Sequence, residues 1–167
     1  IVCLVSNDVS SGAFNYAEKN NIFTHSDISK SSLLKVLNYF TPDLIVLAGY
    51  IKYIEPEIIN NYLNKIINIH PSILPAFGGK NFYGLRVHKA VYLSGVKITG
   101  CTIHFVDEKY DNGPIIFQKT VQVNNDDNIN SISKKVLDLE HKYYSYVIKQ
   151  FCEDKIIFKK NKAYIIN

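Results

Sequence analysis

The strongest constraint on the fold is a succession of short, unbroken apolar runs, each leaving through turn chemistry. Ile1-Val2-Cys3-Leu4-Val5 runs into Ser6-Asn7-Asp8, Leu44-Ile45-Val46-Leu47-Ala48 into Gly49, and Ile66-Ile67-Asn68-Ile69-His70 into Pro71. Strands with so few polar positions are covered on both faces, as in a parallel sheet flanked by helices. Between the runs the pattern turns helical. Residues 11–20 place Phe14 and Ala17 on one face, and Ser26-Asp27 offers an N-cap to a helix carrying Leu33, Leu34, Val36, Leu37 and Phe40, which Pro42 stops. A helix follows at 55–64 with Pro56 in its first turn, and another at 83–94 carrying Val87, Ala90, Val91 and Leu93. With a short strand at 22–25, the order is β-α-β-α-β-α-β-α, which predicts a doubly wound sheet.

The last third reads differently. Residues 98–106 alternate, with Thr102 and His104 on one side and Ile103 and Phe105 on the other. A second strand at 115–123 pairs with it antiparallel through the 107–114 connection. Asp126-Asp127-Asn128 caps a long helix whose apolar positions Ile132, Val136, Leu139, Tyr143, Val147 and Phe151 recur at steps of three and four. A hairpin of 156–158 with 163–166 closes the chain. The expected fold is therefore α/β: a Rossmann-like, doubly wound, mostly parallel sheet with an antiparallel C-terminal strand pair, flanked by helices.

A chain of 167 residues suits one domain, and 47% hydrophobic with 20% charged residues is the balance of a globular protein. The net charge of +4 has its densest source in Lys155, Lys159, Lys160 and Lys162, read as a solvated face. No stripe of bases and aromatics accompanies these lysines, which argues against a nucleic-acid partner. The Cys residues at 3, 101 and 152 form no Cys-x-x-Cys and suit a reducing, cytoplasmic setting. The run at 44–51 is too short to span a membrane.

Asn68 and His70 are the polar exceptions on an apolar strand. At spacing two their side chains share a side, at the carboxyl end where open α/β sheets bind ligands. The strand opens into a loop stiffened by Pro71 and Pro75, and a second strand brings His104, followed by Asp111 in Asp111-Asn112-Gly113-Pro114. An amide can hold a carbonyl oxygen, an imidazolium can stabilise an oxyanion, and a carboxylate can steer the imidazole or take a proton. That set suits acyl transfer without a covalent enzyme intermediate. Ser72 lacks a Gly-x-Ser-x-Gly elbow, and Cys101 lacks a setting that would make it a thiolate. The five histidines (His25, His70, His88, His104, His141) show no metal-ligand spacing, so no metal is expected. No Gly-x-Gly-x-x-Gly supports a dinucleotide.

Asn68-Ile69-His70-Pro71-Ser72-Ile73-Leu74-Pro75, then Thr99-Gly100-Cys101-Thr102-Ile103-His104-Phe105-Val106, then Asp111-Asn112-Gly113-Pro114-Ile115-Ile116-Phe117-Gln118, resemble the 10-formyltetrahydrofolate-dependent formyltransferases. Pro42-Asp43-Leu44-Ile45-Val46-Leu47-Ala48-Gly49-Tyr50 and Glu140-His141 match too, so the resemblance covers nearly the whole chain. It implies transfer of a formyl group from N10 of 10-formyltetrahydrofolate to the amine of glycinamide ribonucleotide, a step of purine biosynthesis. By resemblance Asn68 holds the formyl oxygen, His70 stabilises the oxyanion and Asp111 tunes His70, with Thr102 and His104 in support. Ile51, Lys52, Tyr53 and Ile54, together with Asn68 and the loop Asp107, Glu108, Lys109, Tyr110 and Asp111, match the folate-binding stretches. Gly49 and Glu140 match positions that contact the ribonucleotide. The implied partners are the two small substrates, in a monomer or homodimer.

Two branches of the family are less well matched. The tRNA-formylating branch needs a further C-terminal domain, and the hydrolase branch usually has a second His after the motif His, where this chain has Pro71. A related formyltetrahydrofolate hydrolase and a catalytically impaired folate-binding protein are the alternatives. The family opens with a strand and a Gly/Ser/Asn-rich loop that cradles the substrate phosphate. Nothing comparable precedes Ile1, so the expectation is a single domain over 1–167 lacking that strand and loop, either because they lie upstream of the sequence given or because phosphate binding has been lost. Leu137 stands where an amide or cation is usual, and residues 77–86 are longer than in many members.

Overall fold

The computed structural model describes residues 1–160 and 162–166. The chain divides into two compact units, residues 1–44 and 45–167.

In the first unit β1 (Cys3–Val5) pairs parallel with β2 (Phe23–His25), joined by α1 (Gly12–Lys19). Ser11 caps α1 by accepting from the Ala13 N–H. The second helix, α2 (Lys30–Phe40), starts later than the Ser26-Asp27 signal suggested, with Ser29 as its N-cap. The Asp27 carboxylate is already used, accepting from the Ser29 N–H at 2.8 Å and the Ser29 hydroxyl at 3.0 Å, so it builds the turn before the helix. Thr41 in the left-handed region ends α2 before Pro42, and the Phe23 and Phe40 rings meet at 5.1 Å.

In the second unit β3 (Ile45–Leu47), β4 (Ile66–His70), β5 (Ile98–Phe105) and β6 (Ile115–Gln122) form one sheet in that order. The β3–β4 pair is parallel, while β4–β5 and β5–β6 are antiparallel. The α/β class and the antiparallel strand pair are as expected, and the antiparallel part takes in the central β4–β5 pair as well. From Thr99 to Phe105 every residue of β5 is buried, so this central strand is covered on both faces. Gly100 permits the close approach of β6, since a Cβ there would lie 1.9 Å from the Lys119 carbonyl oxygen.

Three helices and two strands complete this unit. Helix α3 (Pro56–Asn61) begins at its proline and is shorter than its pattern suggested. Helix α4 (Leu85–Ser94) buries Val87, His88 and Val91 and ends at Gly95, φ +69°. Helix α5 (Ile129–Cys152) carries the expected cap as a reciprocal pair. The Asn128 side chain accepts from the Ser131 N–H, and the Ser131 hydroxyl accepts from the Asn128 N–H. A hairpin of β7 (Ile156–Lys159) and β8 (Lys162–Ile165) follows. Val87, Val91 and Ile132 form a core where α4 meets α5, and Phe158 packs on Phe105 at 4.8 Å.

Candidate active site

Register brings the site together. In the β4–β5 ladder Asn68 lies opposite His104 and His70 opposite Thr102, so two residues 36 apart in sequence become cross-strand neighbours. His104 gives its Nδ1–H to the Phe105 carbonyl at 2.8 Å. In the neutral ring Nε2 is then an acceptor, and it receives the Asn68 Nδ2–H at 3.3 Å. That contact orients the Asn68 amide, whose second N–H has no partner among the described residues.

Asp111 reaches the same place from the connection between β5 and β6. That connection winds around Asp107, whose carboxylate accepts from the Lys109 N–H at 2.9 Å and from the Asn112 side chain at 2.7 Å. Gly113 is required where the loop returns, because a Cβ would lie 1.9 Å from the Phe105 carbonyl oxygen. Asp111 Oδ2 stands 3.4 Å from His70 Nδ1, and Oδ1 stands 3.7 Å from His104 Nε2. Burial alone would push the Asp111 carboxyl up. Hydrogen bonding with His70, the charge of His70 and the Gly79 N–H outweigh it and hold the group below the usual carboxylate range.

His70 is 3% exposed, and its Nε2–H donates to the Phe77 carbonyl at 2.8 Å. The loop that supplies this carbonyl is pinned at its base by Thr102, which is fully buried. The Thr102 hydroxyl donates to the Ser72 carbonyl and accepts from the Leu74 N–H and the Gln118 side chain. Gln118 also donates to the Leu74 carbonyl. Ser72 itself donates to the Ala76 carbonyl, so its hydroxyl serves the turn. Burial, with the Glu140 charge, pushes the Cys101 thiol up to about 11. Neither residue is set up as a nucleophile.

A cavity of about 490 Å³ opens onto these groups. Gly49, Ile51, Lys52, Tyr53, Ile54, Asn68, His70, His104, Asp107, Lys109, Tyr110, Asp111 and Glu140 all line it. The two expected folate stretches meet across it, with the Tyr53 and Tyr110 rings 5.7 Å apart and the Tyr53 hydroxyl donating to the Glu108 carbonyl. Glu108 is otherwise exposed and does not line the cavity. Glu140 and Leu137 enter from α5, and burial pushes the Glu140 carboxyl up against the opposing charges of His70 and His141. No group of three His, Cys, Asp or Glu among the described residues is placed to hold a metal ion.

Residues 79–85, within the long 77–86 stretch, form one wall of the cavity, and sequence reasoning missed the imidazole of His88, which is 5% exposed. His88 Nδ1 has no hydrogen-bond partner among the described residues, and burial and the nearby His70 lower its pKa. One signal was available: His88 falls between Val87 and Val91 on the apolar stripe of its helix.

The formyl transferase family matches residues 5–148. This chain belongs to that family. It is 41% identical over 175 residues to the chloroplastic phosphoribosylglycinamide formyltransferase of Vigna unguiculata, covering 99% of this chain and 56% of that protein. It is 36% identical over 134 residues to the formyltetrahydrofolate deformylase of Haemophilus influenzae, covering 80% of this chain and 46% of that protein. The crystal structure of phosphoribosylglycinamide formyltransferase from Anaplasma phagocytophilum superposes with a TM-score of 0.90 at 32% identity, covering all of this chain and 82% of that one. This formyl transferase chain spans little more than half the length of the first curated relatives it matches.

Proposed function

We propose that this formyl transferase chain carries the centre that moves a formyl group from N10 of 10-formyltetrahydrofolate to the amine of glycinamide ribonucleotide. The observation that carries the reading is the convergence of Asn68, His70 and Asp111 at one cavity that Glu140 enters from α5. The two folate stretches give the donor's ring system an aromatic and aliphatic wall. Lys52, Lys80 and Lys109 on the cavity lining suit the carboxylates of its tail. Glu140 suits the hydroxyls of the ribose.

The amine attacks the formyl carbon, and the carbonyl oxygen becomes an oxyanion. The free N–H of Asn68 and a protonated His70 face that charge. The new C–N bond forms, the bond to N10 breaks, N10 gains a proton and the attacking nitrogen loses one, with Asp111 ionised throughout. A reducing compartment, cytoplasmic as expected or chloroplastic as for the plant relatives, suits the free Cys3, Cys101 and Cys152. No helix among the described residues is long and apolar enough to cross a membrane.

The deformylase relative supports a second reading, in which water takes the place of the amine. Following deformylation of the donor with and without glycinamide ribonucleotide separates the two. Turnover that requires the ribonucleotide and yields the formylated product supports transfer. Turnover unchanged by its omission establishes hydrolysis, and none in either case rejects both.

A further inference from the structure

Of the three histidines on the cavity wall, formyl transfer uses His70 and, through the Asn68 amide, His104. It leaves His88 without a task. His88 stands on α4 between Val87 and Val91, whose stripe packs against Ile132 of α5. The ring is 5% exposed, and its Nδ1 is sealed from solvent with no hydrogen-bond partner among the described residues. A polar atom buried in this way costs free energy that an aliphatic side chain of similar size would not. What is not sealed of His88 borders the cavity.

The sealed nitrogen decides what the ring can offer. A proton on Nδ1 would be an N–H without an acceptor in a dry place, and a bare lone pair is the less costly orphan. The proton of the neutral ring therefore sits on Nε2. A second proton would bring a charge and a stranded N–H together, and burial and the charge of His70 both oppose it. His88 thus presents one neutral N–H donor to the cavity.

The α5 side of the same cavity carries Ser133, Leu137 and Glu140, which share one helix face. His70 acts electrostatically on both His88 and Glu140, which places the two around the same imidazole. We propose that His88 is a further binding residue for the ribonucleotide, and that it and Glu140 together hold one ribose hydroxyl, which accepts from His88 Nε2–H and donates to the Glu140 carboxylate. The inference rests on the formyl-transfer reading and adds to it the residue of α4 that reads the sugar. A hydroxyl suits both partners because it donates and accepts. A phosphate would accept from His88 but meet the like charge of an ionised Glu140. An ammonium would pair with Glu140 but set N–H against N–H at His88.

Calorimetric titration of the full chain with glycinamide ribonucleotide, and with analogues lacking one or the other ribose hydroxyl, tests this without the formyl donor. His88→Leu is expected to weaken binding of the ribonucleotide about three- to tenfold, the loss of one neutral hydrogen bond. It should leave binding of one of the analogues unchanged. His88→Gln, whose amide N–H reaches the place of Nε2, should restore most of the affinity. The urea midpoint of His88→Leu should hold or rise, because the change removes a stranded polar atom from a dry site. In steady state the same variant should raise KM for the ribonucleotide by the same factor, with KM for the formyl donor within about twofold. Binding unchanged in His88→Leu, or weakened equally toward the ribonucleotide and both analogues, would overturn the proposal and leave the formyl-transfer reading in place. A chain that binds the ribonucleotide through His88 and does not formylate it would reject that reading and keep the subsite.

Discussion

The hydroxyl of Tyr144 lies 2.8 Å from the carbonyl oxygen of Leu47, and 3.1 Å from that of Ile67. One phenol thus spans the carboxyl end of β3 and the start of β4 and fastens α5 to both. Burial pushes this phenol far up, so it stays a donor. Glu140 precedes it by one helical turn, which makes Tyr144 the anchor of the residue assigned to the ribose. Tyr144→Phe should cost about 1–2 kcal/mol of stability and raise KM for glycinamide ribonucleotide several-fold with a smaller change in kcat. Urea unfolding beside steady-state kinetics checks it, and an unchanged KM would separate the anchor from the substrate.

Thr102 satisfies three partners with one buried hydroxyl. Thr102→Val keeps the shape and strands the Leu74 N–H and the Ser72 carbonyl in a dry interior. The expected loss is about 2–4 kcal/mol. The turn is also the base of the loop that carries the Phe77 carbonyl, so kcat should fall at least tenfold in protein that is still folded. Circular dichroism and turnover on one preparation decide it. Full activity in a destabilised variant would confine Thr102 to the fold.

Much of this site was legible in the chain. The spacing of Asn68 and His70 put both side chains on one side of a strand, and the alternation in β5 put His104 and Thr102 on one side of another, but the antiparallel β4–β5 pairing that brings them together was not legible. What was not legible is mostly backbone. The Phe77 carbonyl and the Gly79 N–H bear no residue identity, and their positions depend on how a Pro- and Gly-rich loop closes on Asp111. His88 was visible only as one of five histidines, because helical periodicity shows that a position is buried and not which cavity it borders. The start of α2 was misplaced for a local reason: the Asp27 carboxylate found the Ser29 N–H and hydroxyl before a helix could use it.

Asp111→Asn removes the charge and keeps the shape. The folded carboxyl lies below its unfolded value, so its ionisation contributes stability above the ordinary carboxylate range near 3.8. That contribution fades as pH falls from there toward the lower folded value. The native chain should therefore lose stability over that acid window more steeply than the variant. At neutral pH Asp111→Asn should retain its fold and lose at least a thousandfold in kcat, as a group tied to the reacting proton would. His70→Ala should fall by a similar factor. Near-normal turnover in either variant would end the roles assigned to the pair.

Glu140 supplies a dependence of the opposite sign. Burial raises its carboxyl above the usual value, so the folded chain holds this proton to a higher pH than the unfolded chain does. The stability associated with it is present at low pH and is lost as pH rises through the raised value. Binding runs the other way, because an ionised Glu140 accepts from ribose hydroxyls better than a protonated one. KM for glycinamide ribonucleotide should therefore rise as pH falls through that value, while KM for the formyl donor stays flat. Glu140→Gln removes the titration: its KM for the ribonucleotide should be raised about tenfold, the loss of one charge-assisted hydrogen bond, and should be independent of pH over the same window. A variant that keeps the native pH dependence would move the titration to another group, with His88 and His70 the neighbours to test next.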